Sequence, residues 1–253
     1  MTLDQLARIE TEAALGISAD DEVKVTGILE HARLQLTPSQ ATDVLFLVHP
    51  YFVQFTPELA PTPLEMLGLV RNLEASINGW KKHRDTPDVE RALVIARASI
   101  AHIKNGDKVA DYLKRLEGLV SNLDTSKVRL VLVEAVDDYW RQSASLVESG
   151  RVNSVLITKY GVGVLLESQT AAFTELLSGV KTAYVAGSYA NLCPFTFAKS
   201  VRDVGVRVVP VADLLFSYNL PPEMIPTTWR DKGFKVQRAA RSIQLPRLAQ
   251  YRR

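Results

Sequence analysis

From Val128 to Val211 the chain alternates short apolar runs with amphipathic segments, and few folds accommodate that alternation. Val128 to Glu134, Ser154 to Lys159, Thr182 to Ala186 and Val206 to Val211 have strand length and strand composition. Between them, Asp138 to Ser149, Ser168 to Leu177 and Pro194 to Val204 repeat apolar residues at helical spacing. An earlier run, Asp43 to Val48, halts at His49 and Pro50. Strands this uniformly apolar need cover on both faces, and a helix between successive strands makes them parallel. The expected fold is α/β: a three-layer, Rossmann-like open parallel sheet with helices on both faces. Right-handed crossovers put the carboxyl ends of the strands, and the ligand crevice, along one edge. His49, Glu134, Lys159 and Gly187 fall at those ends.

This α/β domain is expected over 41–237, with extra helices before and inside it. Leu3, Leu6, Ile9 and Ala13, then Val25, Ile28, Leu29 and Ala32, predict a helical N-terminal extension over 1–40, read as a preface to the core. Prolines between Pro57 and Pro63 open a helical insertion over about 57–123. Its stripes, such as Leu64, Leu67, Val70 and Leu73, are core-facing by default. Lys232 to Val236 reads as a last edge strand, and 238–253 as a basic tail. From Lys232 onward there are seven basic residues and no acidic one. Such a tail is read first as solvated or as a subunit contact.

With a formal net charge of +2, the chain as a whole carries no electrostatic signature of a nucleic-acid binder. Its single cysteine cannot close an internal disulfide, in keeping with a reducing compartment. No signal-peptide pattern follows Met1, and no apolar run approaches the roughly 18 residues of a membrane span. A cytoplasmic protein without membrane contact is expected.

Cys193 stands where an apolar strand, a glycine and a polar turn lead into a helix. Pro194 suits the first helical position and would make Cys193 the N-cap, where the helix dipole and unpaired N–H groups favour a thiolate and could hold an oxyanion at Leu192 and Cys193. The same residue also reads as a small buried hydrophobe.

The run Gly187-Ser188-Tyr189-Ala190-Asn191-Leu192-Cys193, with Gly205 twelve residues beyond the cysteine and Asp213 after Val208 to Ala212, resembles the signature of the isochorismatase-like cysteine hydrolases. Val155 to Lys159 is similar to the family's strand ending in a catalytic lysine. The resemblance covers roughly Asp43 to Val236 and is tightest from Val155 to Asp213. It implies hydrolysis of a small amide-type C–N bond, with Cys193 as nucleophile, Lys159 as electrostatic partner and an aspartate ending the first strand as base. Leu45 to Phe52 puts His49 in that aspartate's place. An imidazole can accept a thiol proton, so a divergent His49/Lys159/Cys193 site is one reading. A catalytically inactive descendant, kept as a binding, assembly or regulatory module, is the other.

Gly187, Ser188, Tyr189, Asn191 and Leu192 are expected to form the floor of the substrate site, with Tyr51, Phe52, Tyr139 and Trp140 as its apolar walls. The family's nicotinamidase-like members add a metal held by an aspartate and histidines after the second strand. Here Glu134 to Trp140 holds carboxylates and no histidine, so no metal is expected, and Asp137 and Asp138 are read as helix caps. Gly161 and Gly163 lack a dinucleotide or P-loop context, so no cofactor is expected either. The implied partners are a small-molecule substrate or ligand, further copies of the chain, and a possible protein partner on the extra helices.

Overall fold

The computed structural model describes residues 19–51, 106–136, 139–159, 163–217 and 220–238. The chain forms two compact units, one of Met1–Tyr51 with Arg115–Arg253 and one of Phe52–Lys114. Of the second unit, residues 106–114 are described and form the first half of a helix. The N-terminal segment before Ala19, most of the expected insertion, and the tail beyond Arg238 lie outside the described residues.

Helix α1 (Ala19–Gln35) leads to strand β1 (Asp43–Val48), and helix α2 (Gly106–Asn122) to β2 (Val128–Ala135). A π-helical turn, Tyr139–Ser143, runs into α3 (Ala144–Glu148) and then β3 (Ser154–Lys159). A two-residue strand, β4 (Val164–Leu165), precedes a 3-10 turn, Glu167–Gln169, and α4 (Thr170–Leu177). Then follow β5 (Thr182–Ser188), α5 (Cys193–Asp203), β6 (Arg207–Phe216) and α6 (Ile225–Asp231).

The sheet runs β4-β3-β2-β1-β5-β6, parallel except for β4, which pairs antiparallel with β3. β1 lies between β2 and β5 in a sheet that opens outward in both directions, which is the doubly wound arrangement expected from the alternation. Its side chains alternate: Val44, Phe46 and Val48 join one buried cluster with Val131, Val133, Val185, Phe173, Phe197 and Val201. Leu45, Leu47, Leu130 and Leu132 are equally buried and lie outside that cluster, on the other face. Both faces are covered, as uniformly apolar parallel strands require.

Four expectations change. α1 supplies Val25, Ile28 and Ala32 as buried residues packed toward α3 and β3, so this part of the preface is a layer of the fold. The segment expected as one helix from Asp138 to Ser149 is a π turn followed by a short α-helix. β6 runs five residues past Val211, because a register shift opposite Val185 to Gly187 absorbs the extra residues as a bulge. The expected edge strand over Lys232 to Val236 does not form. Phe234 is buried against Trp229 instead, with ring centroids 5.2 Å apart, and only Gln237 bridges to Val211.

One backbone contact ties the middle of the sheet together. Gly187, at φ 127°, lies so close to β1 that a Cβ there would sit 1.9 Å from the Val48 carbonyl oxygen. No L-residue fits, both sterically and conformationally. Gly187→Ala should therefore cost roughly 3 kcal/mol or more of unfolding free energy, read by urea titration. A loss under about 1 kcal/mol would show that β1 and β5 can separate freely here.

Candidate functional site

The carboxyl ends of β1, β2, β3 and β5 line one edge, and Thr158 links two of the groups anticipated there, the His49 side chain and the Glu134 carbonyl. His49 follows β1 with φ 45°, a left-handed conformation that histidine adopts more readily than most residues. Its N–H extends the ladder by donating to the Val133 carbonyl at 2.8 Å. Its side chain is fully buried, and Nε2 lies 2.7 Å from Thr158 Oγ1 on β3. The Thr158 hydroxyl donates to the Glu134 carbonyl at 3.3 Å, so it accepts from Nε2–H. This assigns the neutral tautomer and leaves Nδ1 as the acceptor nitrogen. Burial drives the imidazole down to about 3 from its ordinary value of 6.5.

Glu134 ends β2 with a buried carboxylate. Oε2 accepts from Ser143 Oγ at 2.5 Å, and Oε1 from the Ala135 N–H at 3.3 Å. Tyr51 stands half-buried just past His49, with its hydroxyl pushed up to about 12 by burial and by the charges of Glu117 and Glu134. Thr158 and Ser143 were not singled out from sequence. The usable signal was a hydroxyl residue inside or beside an otherwise apolar run, where burial demands a partner.

The loop after β5 is positioned from three sides. Ser188 Oγ donates to the His49 carbonyl at 2.7 Å, and the Ser188–Tyr189 peptide is cis. The Ala190 N–H donates to the Phe216 carbonyl at 2.6 Å, and Ser217 Oγ to Asn191 Oδ1 at 2.8 Å. Leu192 is the N-cap of α5, and Cys193 is its first helical residue with Pro194 next. The helix thus starts one residue earlier than expected. The Leu192 N–H donates to the Tyr189 carbonyl at 2.9 Å and is committed to the turn, not directed at an oxyanion. The turn preceding the helix closes on itself, and this consumes the donor.

Cys193 is fully buried within the apolar cluster that holds Val48, Ala190 and Phe197. Above it, Gly163 (φ 75°) approaches so closely that a Cβ there would sit 2.2 Å from the Cys193 carbonyl oxygen. Gly163, noted in the sequence for lacking a P-loop context, is required by this backbone contact. Helix N-terminus and apolar burial act on the thiol in opposite senses, the first for ionisation and the second against it.

Tyr139 is buried outside the Cys193 cluster, its ring 5.8 Å from that of His31 on α1; Trp140 is half exposed, 5.0 Å from the same imidazole. Asp213 does not end a strand. It sits half-buried in the β6 bulge. Lys159 ends β3 and pairs through its backbone with Val164, and its side chain lies outside the described residues. Phe52, Asp137, Asp138, Gly161, His83 and His102 also lie outside them. Among the described residues there is no cluster of three metal-ligating side chains and no helix long and apolar enough to cross a membrane.

No protein-family model matches the sequence, and no curated protein matches it. Similar solved structures include an isochorismatase-like hydrolase from Alkaliphilus metalliredigens, at 13% identity over 79% of this chain and 94% of that one, with a TM-score of 0.40. PnC1 from L. infantum in complex with nicotinate is similar at 12% identity over 81% of this chain and 97% of that one, TM-score 0.40. The nicotinamidase SaPncA from Staphylococcus aureus is similar at 12% identity over 78% and 100%, TM-score 0.41.

The buried His49 makes stability depend on acid in a definite direction. An unfolded histidine binds a proton near pH 6.5, whereas the folded ring resists it down to about 3. The stabilisation is complete above about 6.5 and is lost progressively as pH falls toward 3, at up to about 1.4 kcal/mol per pH unit. In urea titrations at pH 7, 6 and 5, His49→Gln should show a slope of stability against pH shallower by up to one proton. Parallel slopes in the two proteins would mean that His49 is not kept neutral by the fold.

Proposed function

We propose that this chain is a catalytically inactive isochorismatase-fold protein whose strand-end site does not carry out cysteine-dependent hydrolysis of a C–N bond and serves instead to bind a small ligand or partner. The observation that carries the reading is the state of His49. A base must take the thiol proton, and at the position expected for the aspartate stands an imidazole that burial holds near 3, with Nε2 engaged by Thr158. An imidazole whose charged form burial disfavours so strongly is a poor acceptor for a thiol proton. The placement of Cys193 inside the apolar cluster supports the same reading, since a nucleophile needs access. So does the commitment of the Leu192 N–H to Tyr189, which removes one expected oxyanion donor. Self-assembly, a protein partner on the extra helices and a cytoplasmic location belong to this reading as further proposals.

One observation favours a cysteine hydrolase instead: Cys193 is the first residue of an 11-residue helix, where the dipole assists a thiolate. Iodoacetamide labelling of the native protein across pH 6 to 9 separates the two. The binding-module reading expects slow labelling that rises toward and beyond about pH 8.5, and no turnover of small primary amides. Rapid labelling at pH 6, together with amide turnover abolished in Cys193→Ala, would overturn it.

A further inference from the structure

The π turn Tyr139–Ser143 begins four residues past the end of β2, and both its ends are held by polar contacts to different layers. At its start, the Tyr139 hydroxyl lies 2.9 Å from His31 Nδ1 on α1, while His31 Nε2 lies 3.3 Å from Glu148 Oε1 on α3. A carboxylate can only accept, so Nε2 donates toward Glu148, and the imidazole joins α3 to the Tyr139 hydroxyl through its other nitrogen. At its end, Ser143 Oγ donates to the buried Glu134 carboxylate on β2. A π turn holds one residue more than an α turn of the same rise, and it persists where neighbours select it.

We propose that these two attachments form a clamp in which α1, through the Glu148–His31–Tyr139 relay, and β2, through Glu134–Ser143, jointly hold residues 139–143 in the π register, so that α1 is coupled to the edge of the sheet. The competing state is the α register. Relaxation to it rotates one end of the turn by about 100° relative to the other, so only one attachment can survive. Releasing either end therefore releases the same element. Trp140 reports the register, because its indole packs 5.1 Å from Tyr139 and 5.0 Å from His31 while remaining half exposed. The clamp does not depend on any chemistry at Cys193.

The test uses the full chain with three variants: Glu148→Ala, Tyr139→Phe and Ser143→Ala. Glu148 is largely exposed, so its removal leaves the core untouched and keeps the test usable if either buried variant fails to fold. Amide hydrogen exchange across 139–143 should accelerate by about tenfold in each variant, the scale of one lost hydrogen bond. The Trp140 indole N–H resonance, assigned with Trp140→Phe, should move in the same direction in all of them. A variant combining Tyr139→Phe with Ser143→Ala should exchange no faster than about twice the faster single variant, because the second attachment has nothing left to hold. Unchanged exchange and an unmoved Trp140 resonance in Glu148→Ala would overturn the clamp. So would accelerations at the two ends that simply multiply in the double variant.

Discussion

The approach of β5 to β1 at Gly187 is the constraint on which the rest of the edge depends. Because no side chain stands between Gly187 and the Val48 carbonyl, the two strands stay paired to their last residues. That pairing brings Ser188 under the His49 carbonyl, and the loop that follows reaches Phe216 and Ser217 on the far side. The start of α5 is therefore fixed by strand contacts. Its own cap contributes no side-chain bond.

Beneath the strand ends runs a buried polar layer: His49 to Thr158, Thr158 to the Glu134 backbone, and the Glu134 side chain to Ser143. Polar groups taken from water need such partners, and each of these residues supplies one to a neighbouring strand or turn. The cost to chemistry follows from the same bonds. An imidazole that helps to hold β1 to β3 in a dry interior is kept neutral and oriented, and its basicity is low. Cys193, by contrast, belongs to the apolar layer on one face, among Val48, Ala190 and Phe197.

The alternation of apolar runs and amphipathic segments was legible because every strand buries both faces, so composition and period carried the same message. Ser154 to Lys159 emerges with its predicted bounds for this reason. Local period failed where long-range pairing intervened. β4 is two residues of ordinary sequence made into a strand by Thr158 and Lys159, and the β6 bulge lies where the register against β5 shifts and Gln237 bridges to Val211. The π turn was invisible for the same reason. Tyr139 to Ser143 has a helical composition, and its register depends on His31, 108 residues before Tyr139.

What the sequence alone determined is the layered α/β plan, the edge where polar residues gather, and the glycine–cysteine loop, all of them set by local period and backbone freedom. Tertiary structure decided the state of the groups at that edge. It buried His49 and joined it to Thr158, spent the Leu192 N–H on the turn, and drew Tyr139 and Trp140 toward α1. The physical reason is that proton affinity and hydrogen-bond availability depend on solvent and neighbours, and neighbours more than a hundred residues apart meet only after the chain folds.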